Sequence, residues 1–168
     1  PQLRLFEVGE GFELGDLYIN SFATPHDAVG SVGFSFEQGG VKRVGFATDL
    51  GCVTDVVLEG LRGAELVVLE SNHDPVMLRC GPYPYYLKQR IAGEYGHLAN
   101  EHCGDAAAEL IRCGAKTLVL AHLSRENNTP EVARSSVSAR LEEHGVRVGA
   151  DLTLEVAPAA EPGRCCCL

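Results

Sequence analysis

Three short apolar runs each end on a side chain able to bind a metal: Val44-Gly45-Phe46-Ala47-Thr48-Asp49, Leu66-Val67-Val68-Leu69-Glu70 and Leu118-Val119-Leu120-Ala121-His122. Runs of this kind suit strands buried on both faces, and the functional groups of such sheets gather just past the strands' carboxyl ends. The pattern therefore predicts two acids and a histidine at one rim of a sheet. Before residue 50 the chain reads as strands and turns. Asp16-Leu17-Tyr18-Ile19-Asn20-Ser21-Phe22, Ser31-Val32-Gly33-Phe34-Ser35-Phe36 and the run after Gly39-Gly40 predict consecutive antiparallel strands, and the alternation of Leu3, Leu5 and Glu7 predicts one more at the start.

After Asp49 helices and strands alternate. A helix is predicted from about Thr54 to Leu61, and Pro75 to Arg90 reads as a Pro- and Tyr-rich loop. Asn100 is placed to cap a helix whose Cys103, Ala106, Ala107, Leu110 and Ile111 share one face, with Gly114 ending it. Thr129 and Pro130 open another, with Ala133, Val137 and Leu141 as its buried stripe and Gly145 as its stop. Asp151 to Val156 alternates with period two, as a half-exposed strand does. The expectation is a layered α/β domain with helices outside the sheet over residues 1–156, and a disordered tail over 157–168.

Composition narrows the classes. A chain of 168 residues with 45% hydrophobic and 22% charged residues can bury a core as one domain. Fourteen basic against 23 acidic residues give a net charge of -9, which argues against broad attraction to nucleic acid or an anionic membrane but leaves room for a local basic patch. No apolar stretch reaches the roughly 18 to 20 residues of a membrane span, and no basic segment leads into an apolar signal core, so a cytoplasmic protein with no membrane partner is expected. Seven cysteines without a C-x-x-C pair point to reduced thiols. Cys165-Cys166-Cys167-Leu168 has the outline of a prenylation box but neither its aliphatic positions nor a polybasic approach, and reads as tail.

The candidate chemistry sits at strand ends and in loops. Asp49 enters a turn before Gly51, where a carboxylate can bridge two divalent ions or cap the next helix. His122 leaves its strand at the rim, where imidazole is the commonest metal ligand. His26 lies in Thr24-Pro25-His26-Asp27-Ala28, with Asp27 placed to orient its ring from behind. Glu70-Ser71-Asn72-His73-Asp74 crowds polar groups onto one strand end, and His97 stands just before a helix. His102 and His144 read as helix-surface residues. Between Asp74 and Glu94 there is no acid, while Arg79, Lys88 and Arg90 stand beside Tyr83, Tyr85 and Tyr86. Such interleaving suits phosphates and stacked bases, and equally suits a packed loop whose tyrosines cover the sheet.

Pro25-His26-Asp27-Ala28, Thr48-Asp49-Leu50-Gly51, Glu70 to Asp74, Gly96-His97-Leu98-Ala99-Asn100 and Ala121-His122-Leu123-Ser124 with Asn127-Asn128 together resemble the second half of a metallo-β-lactamase-fold hydrolase, specifically the bacterial YycJ/WalJ-type branch. The resemblance implies an αββα four-layer sandwich with mixed sheets and outer helices, holding two divalent ions, zinc first and manganese or iron otherwise. It implies His26, Asp49 and His122 as metal ligands, Asp49 bridging and acting in catalysis, and His97 as the catalytic partner of the leaving oxygen. Asp27, Glu70, His73 and Asp74 are expected behind the ligands. Arg79, Lys88, Arg90, Tyr85 and Tyr86 are expected to grip a nucleic-acid backbone.

The main ligand motif of that family, H-x-H-x-D-H, occurs nowhere in the sequence. Three ligands shared by two ions fall short of the roughly three that zinc takes apiece. With Pro1 at its start, the chain is expected to be the C-terminal portion of a longer enzyme, inactive as it stands. The activity implied is a DNA exonuclease-like phosphodiesterase working through a hydroxide between the two ions. A hydrolase of small esters, lactones or thioesters and a non-catalytic interaction domain are the two other readings.

Overall fold

The computed structural model describes Leu3 and residues 5–164. One seven-stranded sheet organises them, with its strands in chain order: β1 (Gly11–Leu14), β2 (Leu17–Ala23), β3 (Val32–Gln38), β4 (Val41–Ala47), β5 (Leu66–Glu70), β6 (Thr117–Ala121) and β7 (Thr153–Val156). β1 to β4 form an antiparallel meander, and β4 to β7 run parallel. The β3–β4 hairpin turns on Gly39 and Gly40, with φ of 60° and 77°. A two-residue hairpin loop needs a left-handed backbone at both positions, which glycine adopts without a Cβ penalty.

Helices fill the parallel crossovers. α1 (Asp55–Leu61) joins β4 to β5; α2 (Pro75–Cys80), α3 (Tyr85–Ile91) and α4 (Asn100–Arg112) join β5 to β6; α5 (Pro130–Glu143) joins β6 to β7. Strand alternation assigns the core to one face. Phe22, Ala47, Val67, Leu69, Leu118, Leu120 and Leu154 point to the same side and bury against Val57 and Leu61 of α1, Cys103, Ala107 and Leu110 of α4, and Ala133, Val137 and Leu141 of α5. The apolar stripes of α4 and α5 are those that their three-and-four spacing predicts. The opposite face carries Phe34, Phe36, Val44, Phe46, Val68 and Val119, all half-buried or exposed, with Phe6 packed across Phe12 and Phe34 at its edge. The described residues thus form one sheet and one helical layer, half of the expected four-layer αββα arrangement.

Several local expectations are corrected. Leu3, Leu5 and Glu7 form no strand; a turn at Glu7 to Glu10 is tied to Ser21, whose Oγ accepts from the Gly9 N–H at 3.1 Å. The Pro- and Tyr-rich passage is two short helices. Asn100 does not cap α4: Ala99 does, with no side-chain bond, and Asn100 is buried in the first turn beside Ser71 and Asn128. Apart from these corrections, residues 157–164 form neither helix nor strand, and the Ala157 N–H donates to the Leu120 carbonyl at 2.8 Å. Cys165-Cys166-Cys167 lies outside the described residues.

Candidate metal centre

β2, β4, β5 and β6 all point their carboxyl ends at one rim, because each meander step reverses direction and β2 therefore runs with β4. His26 follows β2, Asp49 follows β4, Glu70 ends β5 and His122 follows β6. His97 reaches the same rim from the loop after α3: its N–H donates to the Ile91 carbonyl at 2.8 Å. Gly96 makes this approach possible, since a Cβ there would collide with the carbonyl oxygens of Arg90 and Ile91.

Glu70 is the hub. It is fully buried, and its Oε1 accepts from Nδ1 of both His97 and His122 at 2.8 Å, while Oε2 accepts from the Leu50 N–H at 2.8 Å. Burial pushes its carboxyl up, but the bonds from His122, His97 and Leu50 outweigh it and hold Glu70 below the usual carboxylate range. The same bond raises His122 above the ordinary histidine value, against the pull of burial and with help from Asp49. A carboxylate that accepts from Nδ1 fixes the tautomer and leaves the Nε2 lone pair free for another partner. The Glu70, His97 and His122 atoms lie within 4.8 Å of one another, yet the 2.8 Å bonds make Glu70 an orienting partner, so the open nitrogen of each ring is Nε2.

His26 is fixed in the same way by the Gly96 carbonyl, 2.9 Å from its Nδ1. Its Nε2 lies 3.7 Å from Asp49 Oδ1, which is also 3.7 Å from His122 Nδ1. Ring centroids of His26 and His97 are 4.9 Å apart, and those of His97 and His122 5.2 Å. His26, Asp49 and His97 offer ligand atoms within 4.8 Å of one another. Oriented imidazole nitrogens around a half-exposed carboxylate are a donor set that fits a divalent ion with nitrogen and oxygen ligands.

The backbone carries strain at two of these positions. Asp49 and His122 have φ of 56° and 57°, the positive-φ non-glycine residues among those described. Ser31 Oγ donates to the Asp49 carbonyl at 3.3 Å, and Asn72 Nδ2 to the His122 carbonyl at 2.9 Å. Strained backbone held by neighbouring bonds concentrates at functional sites. Capping is not the role of Asp49, because Thr54 caps α1.

The other expected residues share no hydrogen bond with this cluster. Asp74 caps α2, accepting from the N–H groups of Val76 and Met77. Asp27 does not orient the His26 ring through Nδ1; it forms a two-pronged ion pair with Arg90, which lowers its carboxyl, and stands 3.6 Å from His26 Nε2. Arg90 is thereby committed. His73 is buried and shares no hydrogen bond with the cluster; desolvation pushes it down to about 4. Arg79, Lys88 and Tyr85 line one cavity beside the cluster, with Tyr86 exposed on the same helix. His144 meets Asp105 at 2.8 Å, away from the rim. Ser31, Asn72 and the Gly96 carbonyl are supporting groups that sequence reasoning missed.

Residues 1–123 match a family model described as a Beta-lactamase superfamily domain. The chain is 41% identical over 148 residues to exodeoxyribonuclease YycJ of Bacillus anthracis, covering 88% of this chain and 56% of that protein. It is 36% identical over 150 residues to exodeoxyribonuclease WalJ of Streptococcus pneumoniae serotype 2, covering 89% and 55%. Among solved structures, the metallo-β-lactamase-fold protein YhfI of Bacillus subtilis superposes with a TM-score of 0.64 at 18% identity, over 90% of this chain and 51% of that one. The chain spans about half the length of the relatives it matches.

Proposed function

Because the chain belongs to the metallo-β-lactamase-fold family of the beta-lactamase superfamily, we propose that it carries the His26, Asp49, His97 and His122 side of a metal-dependent phosphodiesterase site that acts on DNA ends. The observation that supports this best is the doubly engaged Glu70, which aims two imidazoles outward beside Asp49. The exodeoxyribonuclease names of the two curated relatives favour DNA as the substrate.

His26, Asp49 and His122 would hold divalent metal ions, zinc in the first instance. When bound, such ions activate water and neutralise a phosphate under attack. His97 would present Nε2 to the reacting oxygens as a proton-transfer group, with Glu70 orienting its ring from behind through Nδ1. Asn72 and Ser31 keep the His122 and Asp49 backbones in place. Arg79 and Lys88 grip the phosphate backbone, whereas Arg90 keeps Asp27 occupied.

The remaining ligands are proposed to lie outside these 168 residues, on a second sheet packed against the Phe34, Phe36, Val44 and Phe46 face. The intact gene product tests the reading. Shortening of end-labelled duplex DNA, abolished by a chelator and by His97→Ala, is the expected result. Chelator-resistant activity, or hydrolysis of a carboxyl-ester reporter with DNA left intact, rejects it.

A further inference from the structure

The chain is acidic overall, yet residues 75–93 contain no acid. α2 and α3 enclose a cavity of about 320 Å³ there, lined by His73, Leu78, Arg79, Tyr85, Lys88 and Gln89 among others. That is the lower end of small-ligand pocket sizes. At its inner wall His73 is 2% exposed, and its Nδ1 has no hydrogen-bond partner among the described residues. At its mouth the Tyr85 ring is exposed and held by Gln89, whose Nε2 donates to Tyr85 Oη at 2.9 Å. Lys88 Nζ donates to the Arg79 carbonyl at 2.8 Å, which anchors its ammonium at the rim. Neither Lys88 nor Arg79 pairs with a carboxylate among the described residues.

The cavity adjoins the metal centre through the backbone. The last residue of α3, Ile91, accepts from the His97 N–H, and His73 accepts from the Asn100 N–H at 3.0 Å. The segment carrying His97 is therefore hydrogen-bonded on both sides to elements that line the cavity.

We propose that this cavity seats the terminal nucleobase of a DNA end, with the adjoining phosphate on Arg79 and Lys88; the inference rests on the phosphodiesterase reading above. A nucleotide has the required mixture of properties: a flat apolar base for Tyr85 and an attached anion for the cationic rim. Stacking of this kind tolerates any base, and phosphate contacts set the register. Seating the last base would bring the next phosphodiester toward His97.

The test titrates the nitrogen-15-labelled chain with thymidine 5′-monophosphate and with deoxyribose 5-phosphate, following amide shifts by NMR. The nucleotide is expected to shift Leu78, Tyr85 and Gln89, and the base-free sugar phosphate to bind about tenfold more weakly. Tyr85→Ala, an exposed position whose replacement leaves the core intact, is expected to remove the difference. Equal binding of both probes, or no shift at these amides, overturns the pocket and leaves the phosphodiesterase reading standing. If the intact gene product neither binds nor shortens an oligodeoxynucleotide, both fall.

Discussion

Asp49 and His122 face each other across the rim with 3.7 Å between Oδ1 and Nδ1, and both hold their backbones at positive φ. A left-handed conformation costs an L-residue roughly 1–2 kcal/mol. That cost gives a way to separate what the backbone needs from what the side chain does. Asp49→Gly is expected to be more stable than Asp49→Ala by about 1 kcal/mol in urea denaturation, since glycine relieves the strain that alanine keeps. Both should lose zinc affinity equally, as read by competition with a chromophoric chelator. A stability order with alanine above glycine would reject strain at this position.

Glu70→Gln tests the hub. The amide oxygen can still accept from both imidazoles, but the amide turns a donor toward the Leu50 N–H, so one buried bond is lost and two donors meet. A destabilisation of about 1–3 kcal/mol is expected. Zinc binding should weaken roughly 10–100-fold, the usual effect of removing a group that orients a ligand. Unchanged affinity would place Glu70 in the architecture alone.

His73 gives the chain a predictable acid sensitivity. Burial holds it down to about 4, while the unfolded chain takes up the same proton near 6.5. Between those values the unfolded state binds more protons, so stability is present above pH 6.5 and falls as pH falls toward 4, by about 3 kcal/mol in all. Urea midpoints at pH 7 and pH 4.5 should differ less in His73→Gln than in the unaltered chain. Identical pH slopes would show that the ring is already charged when folded.

Lys88→Ala with Arg79→Ala reads the electrostatic side of DNA binding. Removing two phosphate contacts should flatten the slope of log affinity against log salt by nearly two. Fluorescence anisotropy of a labelled duplex between 50 and 200 mM salt, on the order of the range where such slopes are measured, checks this.

The strands at Val41–Ala47, Leu66–Glu70 and Thr117–Ala121 were legible because both faces of the sheet carry apolar side chains there, which removes the polar alternation and leaves continuous apolar runs. The positions of Asp49, Glu70 and His122 followed from those run ends. What Glu70 does there was not legible, since its partners His97 and His122 lie 27 and 52 residues away. The Asp27–Arg90 pair spans 63 residues and left no local sign. α2 and α3 escaped for another reason. α2 buries Leu78 alone and α3 buries none of its residues, so neither writes a 3.6-residue stripe into the sequence.

The lateral spacing of the sheet acts as a ruler for the chemistry. β5 separates β4 from β6, so Asp49 and His122 leave the sheet about two strand widths, on the order of 10 Å, apart. Their left-handed turns fold both back over Glu70 and close that gap. Lengthening a loop such as the Gly39-Gly40 hairpin leaves the ruler untouched, whereas slipping β5 by one residue turns Glu70 to the other side of the sheet and disperses the histidines.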